Sequence, residues 1–269
     1  MGEPSFEHAV DEFITRLTCP RRLREPRVAD HLAKLDPATV PTPDGRVAAW
    51  RVGAGPAVLL VHGFEDDNSL WSPLIDELVE HGRALVAFDL PAHGASEGTR
   101  CMTWEVVDAV DAVADALGPI DAVVAHSFAC GGVLAALAEG FTVDRAVFVA
   151  SPALMTVRGK GDRWDRHGAR LGLPDEVVQA ARAKYNASIG AGRAAFDAQA
   201  TANSTSAELL VLHSTDDERM PFAPAEAAIR SLPRVQFVVL HGLNHRRTAR
   251  DPDVVHRIAE FVSPPSGEE

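Results

Sequence analysis

The 269 residues are 46% hydrophobic and 24% charged, the balance of a globular domain large enough to bury a core without a disulfide or metal staple. A net charge of −12, from 26 basic against 38 acidic residues, argues against a nucleic-acid partner, because phosphates demand clustered positive charge and the arginines here are scattered. No apolar run approaches the roughly 18 residues of a membrane span, and Cys19, Cys101 and Cys130 have neither metal nor redox spacing. With no secretory pattern at the N-terminus, these features make the cytoplasm the expected location.

Along the chain, Phe6, Val10, Phe13, Ile14 and Leu17 form a helical stripe over residues 5 to 18. Two prolines and the turn-rich "DPATVPTPDG" follow, so residues 1–43 read as an N-terminal arm. A repeating pattern then begins. Strands are expected at 46–52, 57–63, 83–90, 120–127, 143–151, 208–214 and 235–242, most of them continuous apolar runs of the kind buried on both faces. Helices are expected at 69–82, 103–118, after Ser127, and at 253–262, with Gly82 and Gly118 as stops. Strands alternating with amphipathic helices predict a mostly parallel, doubly wound α/β sheet.

One stretch breaks the rhythm. Residues 152–206 hold no strand-like run and are interrupted at Gly168, at Gly172 and Pro174, and at Gly190 and Gly192. They are too long for a plain connection and are expected to form a helical lid over the strand ends. The core domain is then 44–151 together with 207–263.

The chemistry begins at "AVVAHSFACGG". Ser127 follows an apolar run and precedes a helix, the setting of a nucleophile on a sharp strand-to-helix turn. The plain alternative is a serine that caps the helix. A hydroxyl needs a base, a group to orient that base, and donors for an oxyanion. "LLVHGF" puts Phe64 N–H just beyond a buried strand. Phe128 N–H follows Ser127 at a helix N-terminus, where the backbone dipole favours negative charge. His62 reads as a turn histidine. "LHSTDDERMP" supplies adjacent carboxylates, Asp216 and Asp217, and "LHGLNHRR" supplies His241 and His245. All lie at the C-terminal ends of expected parallel strands, the edge where such sheets bind ligands.

Other readings are weaker. The spacing of His241 and His245 suits a metal only on a helix, and Gly242 marks a loop. Cys130 reads as a small packing residue. Trp164, Tyr185 and Phe196 either line a pocket or fill the lid's own core. Arg163, Arg166, Arg170 and Arg182 suit solvated helix faces better than contact with an anionic substrate.

Taken in order, "LLVHGF", "FDLPAHGASEG", "VVAHSFACGG", "LHSTDDERMP" and "GLNHRR" resemble the α/β-hydrolase-fold serine hydrolases, from about residue 44 to 262. The resemblance implies Ser127 as nucleophile, Asp217 rather than Asp216 as acid, and His245 rather than His241 as base. Phe64 and Phe128 N–H groups would form the oxyanion hole, and Asp89 and His93 would be structural. It implies cleavage of a carboxylic ester, thioester or related acyl bond in a small-molecule substrate, with no cofactor or metal. A cofactor-independent C–C bond hydrolase or lyase, or a non-catalytic receptor, remains open on the same fold. Ala125, Ala129, Ala92 and Ser214 stand where the family pattern has glycine, so slightly altered backbone geometry is expected there. Oligomeric state is left undetermined.

Overall fold

The computed structural model describes residues 5–23, 27–155, 163–190, 193 and 196–263. Eight strands form one sheet: β1 (Ala38–Thr42), β2 (Gly45–Val52), β3 (Ala57–Val61), β4 (Ala84–Phe88), β5 (Ile120–His126), β6 (Arg145–Val149), β7 (Glu208–Ser214) and β8 (Val235–Leu240). Their spatial order is β1-β2-β4-β3-β5-β6-β7-β8. The pairs β1·β2 and β2·β4 are antiparallel and all others parallel. The expected doubly wound sheet is therefore present, with an antiparallel edge.

β1 is a finding the sequence reading missed. It lies in the stretch read as a turn-rich arm, because Pro41 and its neighbours carry turn chemistry. Proline is tolerated here because β1 is an edge strand, where one side of the backbone needs no ladder partner.

The helices among the described residues are α1 (Phe6–Thr18), α2 (Ser72–Glu80), α3 (Thr103–Leu117), α4 (Ala129–Glu139), α5 (Arg163–Leu171), α6 (Asp175–Ile189), α7 (Ala198–Ser204), α8 (Phe222–Ile229) and α9 (Pro252–Val262). Of these, α8 was not anticipated, since Pro221 and Pro224 argue for a loop; Pro221 is in fact its N-cap and Pro224 sits in its first turn.

Strand alternation sorts the core into two layers. Leu59 and Val61 of β3 face α3 and α4, packing with Val106, Val110 and Val133. Val58 and Leu60 face α2 and α9, packing with Leu74, Leu78 and Ile258. Side chains on a strand point alternately to opposite faces, so a wholly apolar strand supplies both layers, which is why these runs show no polar alternation.

α3 and α4 approach closely at Gly132. A methyl group there would lie 2.3 Å from Cγ1 and 2.4 Å from Cβ of Val106. Alanine is the better helix former by about 1 kcal/mol, but overpacking costs about 1–3 kcal/mol. Gly132→Ala is expected to lower the denaturant midpoint; a raised midpoint would show that the two helices have slack.

A third apolar cluster lies outside both layers. Val10, Phe13 and Leu17 of α1 pack with Trp164 of α5 and with Val177, Val178, Ala181 and Tyr185 of α6. Within this pair of helices, Gly168 lies under Val178, where a Cβ would sit 2.3 Å from Cγ2. Trp164 and Tyr185 thus fill an arm-to-α6 core, and Phe196 instead meets Trp104 edge to face. Of the stretch 152–206, residues 156–162, 191–192 and 194–195 lie outside the described residues, and the expected interruption at Gly192 falls among them.

Candidate active site

Ser127 follows the last residue of β5 and has φ +53°. A non-glycine residue in this left-handed region is strained by roughly 1–2 kcal/mol. The strain is held by its N–H, which donates to the Val149 carbonyl at 2.8 Å on neighbouring β6. The chain turns sharply and α4 begins two residues later. Ala125 and Ala129 on either side are both wholly buried, so the fold accepts a methyl group at each. Ala92, another alanine standing where the family pattern has glycine, keeps a left-handed backbone at φ +64°.

His245 comes from the loop after β8 and Asp217 from the turn after β7. His245 Nε2 is 2.8 Å from Ser127 Oγ, and His245 Nδ1 is 2.7 Å from Asp217 Oδ2. An ionised carboxylate only accepts, so Nδ1 carries the ring proton and Nε2 accepts from the serine hydroxyl. The other oxygen, Asp217 Oδ1, accepts from the N–H groups of Arg219 and Met220, each at 2.9 Å. Burial alone would push this carboxyl up. The His245 hydrogen bond and charge, with those two N–H groups, outweigh it and hold the group below its ordinary value. Asp216 points elsewhere: its Oδ2 accepts from Thr215 Oγ1 and from Gly242 N–H. His241 Nδ1 meets Thr215 Oγ1 at 3.0 Å, away from Asp217.

The stretch 56–171 matches the family model described as the alpha/beta hydrolase fold, a span that includes Ser127 but ends before Asp217 and His245. An esterase of Pyrococcus furiosus superposes with a TM-score of 0.66 over 91% of this chain and 98% of that one, at 19% identity. The chain has the α/β-hydrolase fold. Among curated relatives, an uncharacterised Mycobacterium tuberculosis protein is 32% identical over 117 residues, 41% of this chain and 33% of that one. The match thus spans about a third of that relative's length. A pimeloyl-[acyl-carrier protein] methyl ester esterase of Pseudoalteromonas atlantica is 28% identical over 133 residues, 48% of this chain and 46% of that one.

On this hydrolase fold, Phe64 lies beside Ser127. A methyl group on Gly63 would be 3.3 Å from Ser127 Cβ, and the Phe64 and Phe128 rings meet edge to face at 5.4 Å. Among the described residues, neither Phe64 N–H nor Phe128 N–H has an intramolecular acceptor. The Phe64 loop is held by His93, whose Nε2 accepts from Glu65 N–H at 2.9 Å while Nδ1 donates to the Pro91 carbonyl. Glu65 sits at φ +59°, a strained position that this bond fixes.

His126 was not singled out by sequence reasoning. Its Nε2 donates to the His245 carbonyl at 3.0 Å, and the two rings lie 4.9 Å apart. It therefore ties the loop that carries His245 to β5. The available signal was a polar residue ending the apolar run 122–125. His62, read as a turn histidine, donates through Nδ1 to the Gly63 carbonyl and accepts Leu90 N–H at Nε2.

Burial lowers the pKa values of His62, His93 and His126 to about 4, 3 and 3, with the charges of His62 and His245 adding to the effect at His93 and His126 respectively. All three are neutral in the fold but protonate near 6.5 when unfolded. The unfolded chain then binds more protons below pH 6.5, so stability is complete above that value and is lost as pH falls toward the folded values. Between pH 6.5 and about 5, above the range where carboxylates titrate, the unfolding free energy is expected to fall by at most about 1.4 kcal/mol per pH unit for each histidine, and the melting temperature to fall with it. A flat melting curve over that window would mean these rings are accessible to protons.

No described helix is long and apolar enough to cross a membrane.

Proposed function

We propose that the protein is a serine hydrolase that cleaves a carboxylic ester, thioester or related acyl bond of a small molecule. The observation that carries this reading is the unbroken hydrogen-bonded line from Asp217 through His245 to Ser127. Ser127 Oγ attacks the carbonyl carbon. His245 Nε2 takes the hydroxyl proton and then delivers it to the departing oxygen or sulfur. Asp217 keeps Nδ1 protonated and stabilises the imidazolium. The tetrahedral oxyanion is received by the free N–H groups of Phe64 and Phe128, one such donor typically contributing about 3 kcal/mol. Collapse gives an acyl-enzyme, and water activated by the same imidazole releases the acid.

The strand-end setting of every group supports the reading, as do esterases among the similar proteins. In it, α5 to α7, between β6 and β7, form the lid, and 44–151 with 207–263 form the core. Three unpaired cysteines suit work in the cytoplasm.

The test is a fluorophosphonate probe combined with p-nitrophenyl esters and vinylogous diketones as substrates. Labelling at Ser127 with ester turnover is expected. Cleavage of diketones alone would move the reading to C–C bond hydrolysis. Tight ligand binding with neither labelling nor turnover would make the protein a receptor.

A further inference from the structure

Helix α5 opens on Arg163, whose head group lies over the two oxyanion residues. Its guanidinium carbon is 4.1 Å from the centre of the Phe64 ring and 4.6 Å from that of Phe128. Nη2 donates to the Leu17 carbonyl at 2.9 Å, which ties the group to the end of α1. Nε is closed off from solvent and finds no acceptor among the described residues. No carboxylate among the described residues pairs with this side chain; Glu65, close enough to act on it by charge, is taken by Arg21.

Among the described residues, the other carboxylate near this cluster, Glu105, is paired with Arg100. Cys101 and Tyr185, close enough to act on the guanidinium by charge, are both pushed up by burial and stay neutral. Tyr185 Oη is itself buried without a partner among the described residues. Burial lowers Arg163 to about 10, so it remains a cation at neutral pH. Aromatic faces stabilise a cation, but they leave unused the directional N–H donors that make arginine the residue for planar carboxylates. A largely buried charge is ordinarily paired. Sequence reading placed this arginine on a solvated helix face; the fold instead turns it inward against the nucleophile's neighbours.

We infer that Arg163 is a specificity-determining residue that receives a carboxylate carried by the substrate. This rests on the hydrolase reading and narrows it to esters or thioesters bearing an anionic group. The net charge of −12 repels such substrates at long range, so their selection falls to a local cation.

The experiment compares mono-p-nitrophenyl glutarate, with its carboxylate on the acyl part, and butyryl glycolate, with it on the leaving group, each against its neutral counterpart. Wild type is expected to favour at least one anionic ester in kcat/KM, and Arg163→Met to reduce that preference at least tenfold. Arg163→Lys should restore part of it. An anionic preference unchanged by the substitution, or an equal fall for anionic and neutral esters, would overturn the inference; the second result would leave Arg163 only positioning Phe64 and Phe128.

A binding arm separates this from failure of the hydrolase reading. Monomethyl glutarate is titrated calorimetrically into Ser127→Ala protein with and without Arg163→Met. Binding that requires Arg163 supports the inference even if no ester is turned over, and absence of binding with Arg163 intact refutes it. Should Arg163→Met fail to fold by circular dichroism, Arg163→Gln takes its place in both arms.

Discussion

Ser127→Ala is expected to lower kcat by as much as ~10⁶-fold, the loss that follows when the nucleophile of the proposed triad is removed. The substitution deletes one oxygen and leaves Cβ in place. The strained backbone at φ +53° persists, as does the N–H bond to Val149. The alanine variant should therefore melt near the wild-type temperature, so that lost turnover cannot be attributed to unfolding. His245 Nε2 loses only its contact with Oγ and keeps its bond to Asp217. Fluorophosphonate labelling should vanish in the same variant. Persistent labelling would place the reactive hydroxyl elsewhere and remove the basis of the proposed mechanism.

Asp217→Asn is expected to lower kcat by roughly 10⁴-fold, the size of effect seen when a triad acid becomes an amide. The geometry explains why an isosteric change is so costly. Oδ1 accepts two backbone N–H bonds, from Arg219 and Met220. The amide oxygen of asparagine must keep that place, because its NH2 would oppose both donors. The NH2 is then turned toward His245 Nδ1, which can answer only by giving up its proton. The ring adopts the opposite tautomer, and Nε2 presents a hydrogen to Ser127 in place of a lone pair. Asp216→Asn is the matched control. Its carboxylate is exposed and bonded to Thr215 and Gly242, so activity should change little. A reversal of these two results would exchange the roles of the neighbouring carboxylates.

Much of the sheet was legible because its strands are buried on both faces. Runs such as "AVLLV" and "ALVAF" have no polar position to spare, and each ends where a loop must carry polar groups to the strand edge. The same logic drew attention to Ser127, which directly follows β5, and to the loops after β7 and β8 that carry Asp216, Asp217, His241 and His245; the choice within each pair came from the family resemblance. Edges were harder. β1 carries turn residues, and α8 follows one proline and holds another in its first turn, because both lie where packing rather than local propensity decides.

What the sequence by itself determined is therefore the alternation of buried strands and amphipathic helices, and with it the order of the groups that reach one rim of the sheet. Only the tertiary structure decided which partners those groups have. His126 grips the His245 backbone across 119 positions of chain, and His93 grips the loop after Phe64. Arg163 lies over two phenylalanines contributed by different strand ends. Periodicity reports which face of an element is apolar. It carries no information about which distant polar atom a buried nitrogen will meet, because that depends on how loops far apart in the chain close on one another in space.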